Sequence, residues 1–377
     1  MYRSSWCEVD LAQLRTNIRL IRKPLGTRKA LLVVKANAYG HGIVPIAAEA
    51  EAAGIDMLGV ATVGEAEWIL DAGIETPMLI MCAMDPAEIE YAVAHGVNFM
   101  AWTTTHFDTA RRAAEKYGVA PQIHLEIDTG MSRSGVDRDD VLQLLSDLSE
   151  PMRESIVGLM THFHSADMPD LDSAKVQLAE FSRAVEVVHQ YGIRPTVHVA
   201  NSPGALRIPD SWMDMVRIGI AGYGLPPSEY TPLPDGVLPI LNWVAQVTNT
   251  KSVPPGRGVG YAWRYIAETD VQVATLGVGY ADGYRRAPLG VNVLRFKERD
   301  ARVVGSVFMD QCLFLVPDGV GCSVGDTAVL VSSTPGSSQS AEAIAERWGT
   351  NNYDVVASIR NRVPRRYCGG ISPRNDV

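Results

Sequence analysis

Residues 31–42 read L-L-V-V-K-A-N-A-Y-G-H-G: four apolar residues run into Lys35, and Tyr39 and two glycines follow within seven positions. Lysine is among the side chains least often buried, and desolvating its charge is costly. In a dry, partly cationic pocket that cost becomes useful, because a lysine amine with a lowered pKa attacks aldehydes. The plainer alternative is a strand-end lysine snorkelling to water, the commoner case for an isolated lysine. Further on, V-A-N-S places Asn201 and Ser202 before a proline, and M-V-R-I-G-I places Arg217, Gly219 and Ile220. Hydroxyl and backbone N–H donors of this kind suit a phosphate, although each alone reads as a turn or cap residue. Together with Lys35 and Tyr39 they describe an aldehyde carrying a phosphate, which is pyridoxal phosphate.

These residues need a scaffold that gathers them. Between residues 29 and 224, eight apolar runs (ALLVVKA, DMLGVAT, PMLIMC, VNFMAW, PQIHLEI, SIVGLMTHF, TVHVANS, MVRIGIA) alternate with helix-like stretches such as Ile43–Ala53, Gly64–Ala72, Pro86–His95 and Thr105–Tyr117. Such alternation implies parallel strands with right-handed crossovers, and eight units match a closed (β/α)8 barrel. An open doubly wound sheet is the structural alternative, and no G-x-G-x-x-G follows the first strand. Asp10 reads as an N-cap ahead of a helix with Leu11, Leu14, Ile18 and Ile21 on one face, packed on the barrel. Barrels place chemistry where strands end. Here those ends carry Lys35, Arg133, His162 with His164, Asn201 with Ser202, and Arg217 with Gly219.

Residues 225–239 hold five prolines and a glycine, a linker by composition. Beyond it, AQVTNTKSV, VQVATLGV, NVLRF, RVVGSV, CLFLV and TAVLVSS read as short strands, with one helix over Ser340–Trp348. The expected architecture is therefore a barrel over 1–230 and a mostly antiparallel β domain over 231–377.

The chain has 377 residues, 46% of them apolar, and a formal net charge of −9 without a dense basic cluster. This speaks against nucleic acid or anionic membrane as the main partner. No stretch approaches the ~20 apolar residues that span a bilayer, and M-Y-R-S-S-W-C-E-V-D lacks a secretory core. The five cysteines are scattered and form no C-x-x-C pair, which fits a reducing cytoplasm and supplies no metal site.

Taken in order, V-V-K-A-N-A-Y-G-H-G, I-D-T-G-M-S-R-S-G, T-H-F, A-N-S, M-V-R-I-G-I, G-Y-A-D-G, F-M-D-Q and R-V-P-R resemble the successive signatures of the alanine racemases, from Trp6 to about Arg366. The resemblance implies pyridoxal phosphate, an amino-acid substrate and a head-to-tail homodimer whose sites draw on both subunits. Under it, Lys35 is the Schiff-base lysine and one of two bases, and Tyr261 is the opposing base from the other subunit. Tyr39, Ser202, Gly219, Ile220 and Tyr353 form the phosphate cradle. Arg217 faces the pyridine nitrogen, His162 lies beside the ring, and Asn201 is a nearby contact. Arg133 and Met309 hold the substrate carboxylate, and Asp310 and Tyr280 line the mouth or the dimer contact.

Those roles are chemically consistent. Racemisation removes the α-proton from one face of a planar centre and returns it to the other, so two bases on opposite faces suffice. A positive neighbour such as Arg217, acting through His162, favours the ionised form of a phenol. Guanidinium keeps its proton, so a ring nitrogen facing Arg217 stays unprotonated. The ring is then a weaker electron sink, which disfavours transamination.

Four positions depart from the family pattern. Glu126 stands where a carbamate-modified lysine is common. It is expected to orient Arg133 as an unmodified carboxylate, or else to be a structural barrel carboxylate. Phe308 replaces a smaller residue and would suit a small substrate such as alanine. Gly260 and Ala262 flank Tyr261 where Ser and Gly are commoner. The alternatives are a racemase of another amino acid such as serine, a decarboxylase or aldolase of the same fold, and a non-catalytic cofactor carrier. Against the latter classes, the chain has no Gly-rich phosphate loop, no metal-pairing histidine beside Cys368, and a second domain that single-barrel carriers lack.

Overall fold

A computed structural model describes residues 3–370. The described residues form two compact units. One comprises Arg15–Ala36 and Ile43–Val237; the other comprises the chain up to Leu14, Asn37–Gly42 and the chain from Leu238.

In the first unit, the strands Lys29–Val33, Met57–Val60, Met78–Ile80, Asn98–Ala101, Ile123–Asp128, Ile156–Met160, Thr196–His198 and Met215–Ile218 coincide with the eight apolar runs. They pair in parallel in sequence order, and the last pairs back onto the first, with Arg217 opposite Leu31. Backbone bonds from Asp214 N–H to the Val197 carbonyl (3.1 Å) and from Arg217 N–H to the Ala200 carbonyl (2.9 Å) close the ring. Parallel strands covered on both faces read as unbroken apolar runs rather than alternating ones, which is why the sequence marks them so clearly.

The crossover helices begin where short polar side chains replace missing intrahelical acceptors. Thr62 accepts from Glu65 N–H ahead of Val63–Asp71, and Asp85 with Glu88 forms a full capping box at Pro86–Ala94. The long helix Asp172–Gln190 buries Ala174, Gln177, Phe181, Ala184 and Val188, an apolar stripe interrupted by one amide. No helix among the described residues is long and apolar enough to cross a membrane.

In the second unit, the 13-residue strand Leu241–Val253 organises an eight-stranded sheet. Its register shifts between Trp243 and Val244 and again between Val247 and Asn249, so different stretches meet different partners. The expected helix is present as Ala341–Trp348, capped by Ser340, and a second short helix, Asn352–Ala357, follows it. The expected division at residue 230 counted the opening segment with the barrel. Strand pairing instead puts Ser5–Asp10 in this sheet, antiparallel to Leu241–Val253 and parallel to Arg365–Cys368. Asp10 caps the next helix, Leu11–Arg22, by accepting from Gln13 N–H at 2.9 Å.

After the first barrel strand the backbone leaves ordinary geometry. Ala36, Asn37, Ala38 and Tyr39 all have φ between 51° and 53°, one turn of left-handed helix. Such geometry costs L-residues roughly 1–2 kcal/mol each, so surrounding contacts must impose it. His41 Nδ1 lies 2.9 Å from both the Ala38 and Tyr39 carbonyls, and its backbone N–H donates to the Ala38 carbonyl. Arg365 Nε donates to the Gly40 carbonyl, while its terminal nitrogens serve the Ile359, Arg360 and Val363 carbonyls. A Cβ at Gly40 would sit 2.1 Å from the Val356 oxygen, and one at Gly42 would sit 1.8 Å from the Tyr367 hydroxyl. Only glycine fits either place. Replacing His41 with Ala should therefore lower unfolding free energy by roughly 1–3 kcal/mol, the cost of buried carbonyls left unpaired, as measured by chemical denaturation.

Candidate active site

Lys35 sits half-buried just past the first barrel strand, with no ion-pair partner among the described residues. Glu65 pins the adjacent backbone. One carboxylate oxygen accepts from Ala36 N–H at 2.6 Å and the other from Ala61 N–H at 2.8 Å. Arg217 is on the neighbouring strand, 1% exposed.

The buried guanidinium is held by acceptors on two strand ends. Its NH1 donates to the His198 carbonyl (2.8 Å) and faces His198 Nδ1 (3.1 Å). Its NH2 donates to the Thr161 (2.8 Å) and Val199 (2.9 Å) carbonyls and faces His162 Nδ1 (3.3 Å). Nε has no partner although it is buried. Beyond His198, the Nε2 atom lies 2.8 Å from His124 Nδ1. That approach crosses strand Ile156–Met160 at Gly158, where a Cβ would fall 2.2 Å from His124 Nδ1. Because guanidinium only donates, His198 accepts from NH1 at Nδ1 and carries its proton on Nε2. His198 then donates to His124. Burial, reinforced by the Arg217 charge, lowers His124 to about 3 and holds His162 and His198 well below the ordinary histidine value. Burial also draws Arg217 down to about 10, so it remains charged at neutral pH.

At the seventh strand end, Asn201 Oδ1 caps the helix Ser202–Arg207, and its Nδ2 lies 3.4 Å from His162 Nε2 and from the Phe163 carbonyl. The Ser202 hydroxyl oxygen accepts from Gly219 N–H (2.8 Å) and Ala221 N–H (3.4 Å), drawing Gly219 and buried Ile220 toward it. At the fifth strand end, Asp128 accepts from the N–H groups of Gly130, Met131 and Ser132, shaping the loop that presents exposed Arg133.

Glu126 is 3% exposed and leaves Oε2 without a partner. Burial raises its pKa, against the opposing pull of Ser134, Arg133 and Arg217. No ion pair joins it to Arg133 among the described residues.

The remaining candidates lie in the second unit. Tyr39 and Tyr353 have ring centroids 6.1 Å apart, and burial pushes the Tyr39 phenol upward. Tyr261 is 64% exposed and its ring packs on Phe308. Met309 is exposed beside them, and Tyr280 N–H donates to the Phe308 carbonyl. Asp310 pairs with Arg362 at 2.6 Å.

Two contributors had no reading in the sequence. His198 completes the histidine chain. Gln177, 2% exposed, donates to the His162 carbonyl (3.0 Å) and Thr129 Oγ1 (3.2 Å) and accepts from His164 N–H (3.1 Å). It thereby ties the loop bearing His162 to the loop leading to Arg133. The only available signal was an amide placed within the apolar stripe of Asp172–Gln190.

The buried histidines set a pH dependence. His41 falls to about 4 and His124 to about 3, against an ordinary 6.5. As pH drops below 6.5, the unfolded chain takes up protons first. Stability is therefore full above that value and declines below it, by up to about 1.4 kcal/mol per pH unit for each histidine. Denaturation midpoints should fall steadily from pH 7 to pH 5; a flat profile would contradict the burial described.

The site can be set beside known proteins. The family described as "Alanine racemase, N-terminal domain" matches residues 9–227, and "Alanine racemase, C-terminal domain" matches 240–367. The alanine racemases of Symbiobacterium thermophilum and Desulfovibrio desulfuricans are each 36% identical, covering 97% of this chain and 98% of their own. The solved alanine racemase from D-cycloserine producing Streptomyces lavendulae superposes with a TM-score of 0.94 at 31% identity, covering 100% of both chains. A (β/α)8 barrel with a lysine past its first strand, a buried arginine on its last, and an antiparallel β unit after it place this chain in the alanine racemase family.

Proposed function

We propose that the chain interconverts L- and D-alanine using pyridoxal 5'-phosphate, in a site completed by a second copy of the chain. The observation that carries the cofactor reading is Arg217 Nε, the one nitrogen of a buried guanidinium without an acceptor. An unprotonated pyridine nitrogen is the acceptor such a donor fits, whereas a protonated one would be repelled. Lys35 would hold the aldehyde carbon. Ser202, whose oxygen already accepts two backbone bonds, has its hydroxyl proton left for a phosphate. Gly219 and Ile220 would join that cradle, with Tyr39 and Tyr353 as the further candidates the family resemblance offers, while His162 and Asn201 would border the ring. When bound, the cofactor would withdraw electrons from the substrate α-carbon.

The chain's own groups then carry the proton. Lys35 Nζ serves one face of the α-carbon and Tyr261 Oη of the second copy the other. One removes the proton while the other returns one, inverting the centre. Tyr261, Met309 and Tyr280 are exposed on the isolated chain, which suits groups delivered to a partner in a head-to-tail homodimer. Arg133 and Met309 would hold the carboxylate. Glu126, buried against the Gly135 end of the loop that carries Arg133, would support that loop rather than pair with Arg133 directly.

Tyr261→Phe should lower racemisation by about a hundredfold or more while leaving the visible absorbance of bound cofactor intact. Lys35→Ala should abolish covalent capture of the cofactor by borohydride. Wild-type turnover in Tyr261→Phe would refute the two-base reading. Rates on alanine and serine, compared side by side, fix the substrate. Separately, Glu126→Gln should raise KM for alanine roughly three- to tenfold with little change in kcat, as expected of one weakened hydrogen bond in a binding loop; unchanged KM would leave Glu126 a purely structural carboxylate.

A further inference from the structure

We infer that Phe308 is a positioning residue for Tyr261, the wall that restricts the phenol to one orientation; this rests on the reading of Tyr261 as a base. The two ring centroids are 5.1 Å apart with planes inclined at 55°, a favoured tilted aromatic arrangement. Within its own chain Tyr261 is 64% exposed, and Phe308 is the ring its own subunit sets against it. A catalytic group left free to turn loses much of its effect, because proton transfer demands a narrow geometry.

The wall is rigidly built. Phe308 N–H donates to the Gln311 carbonyl (2.8 Å), its carbonyl accepts from Tyr280 N–H (3.0 Å), and the Met309 carbonyl accepts from Ala281 N–H (2.9 Å). Gly279 lies directly beneath, where a Cβ would be 2.3 Å from both the Phe308 and Met309 oxygens. The turn bearing Tyr261 is equally constrained. Gly260 has φ 71°, and its missing Cβ would touch the Phe308 ring tip at 3.4 Å. Ala262 and Trp263 follow at φ 53° and 46°, and the Trp263 ring lies against Gly258. The backbone around Tyr261 is thus fixed on both sides, and the remaining freedom, rotation of the phenol, meets Phe308.

The test uses the cofactor-loaded enzyme with Phe308→Ala, Phe308→Leu and Phe308→Tyr, alongside Tyr261→Phe. Phe308→Ala should lower kcat by about ten- to a hundredfold with KM for alanine within about twofold. Phe308→Leu should be intermediate, and Phe308→Tyr, which keeps the ring, near wild type. The α-deuterium isotope effect should rise only in the direction in which Tyr261 removes the proton. Leu supplies the measurement if Ala fails to fold. Unchanged kcat, or isotope effects that rise equally in both directions alongside a lowered melting temperature, would overturn the inference. Full activity in Tyr261→Phe would instead remove the base reading on which it stands.

Discussion

Arg217 places a positive charge inside the barrel at 1% exposure, and the rest of the site is arranged around accommodating it. Taking an ion out of water costs several kcal/mol unless its donors are met. Here carbonyls from Thr161, His198 and Val199 and two imidazoles meet the terminal nitrogens. Those acceptors belong to the ends of the sixth and seventh strands, so one side chain ties three neighbouring strands at the rim. Burial, together with the same charge, disfavours protonation of the imidazoles beside it, and donation from NH1 fixes the tautomer of His198. Nε remains over, and that single unsatisfied donor defines the polarity of what can bind there.

Backbone strain marks both of the groups assigned to move protons. Lys35 leads into the left-handed turn Ala36–Tyr39, and Tyr261 is followed by left-handed Ala262 and Trp263. Residues in such conformations persist only where surroundings over-determine them. At the first turn the over-determination is visible in glycines with no room for a Cβ and in hydrogen bonds that would be lost if the chain relaxed, and at the second in the Trp263 ring seated against Gly258. Ala262, at φ 53°, holds strain next to the phenol. A stiff mounting suits a group whose value lies in where it points.

Much of the fold was legible in the residues. The eight barrel strands are buried on both faces, so they appear as continuous apolar runs, and Thr62, Asp85 and Ser340 announce helix starts by their chemistry. Ser5–Asp10 went unread because a six-residue strand has no signal of its own until Leu241–Val253 supplies a partner. The last arginine of R-V-P-R was recognisable as a motif, but its role in satisfying carbonyls around the left-handed turn depends on chain segments more than 300 positions apart.

The identities and order of the chemical groups are properties of the sequence: an amine past the first strand, a guanidinium on the eighth, a hydroxyl after the seventh, and a phenol in the second half. Their pairing is not. A buried histidine such as His198 and a stripe amide such as Gln177 look alike in sequence whether bonded or idle. Which donor finds an acceptor and which is left over depends on side-chain directions across strands that only closure of the barrel brings within 3 Å of one another.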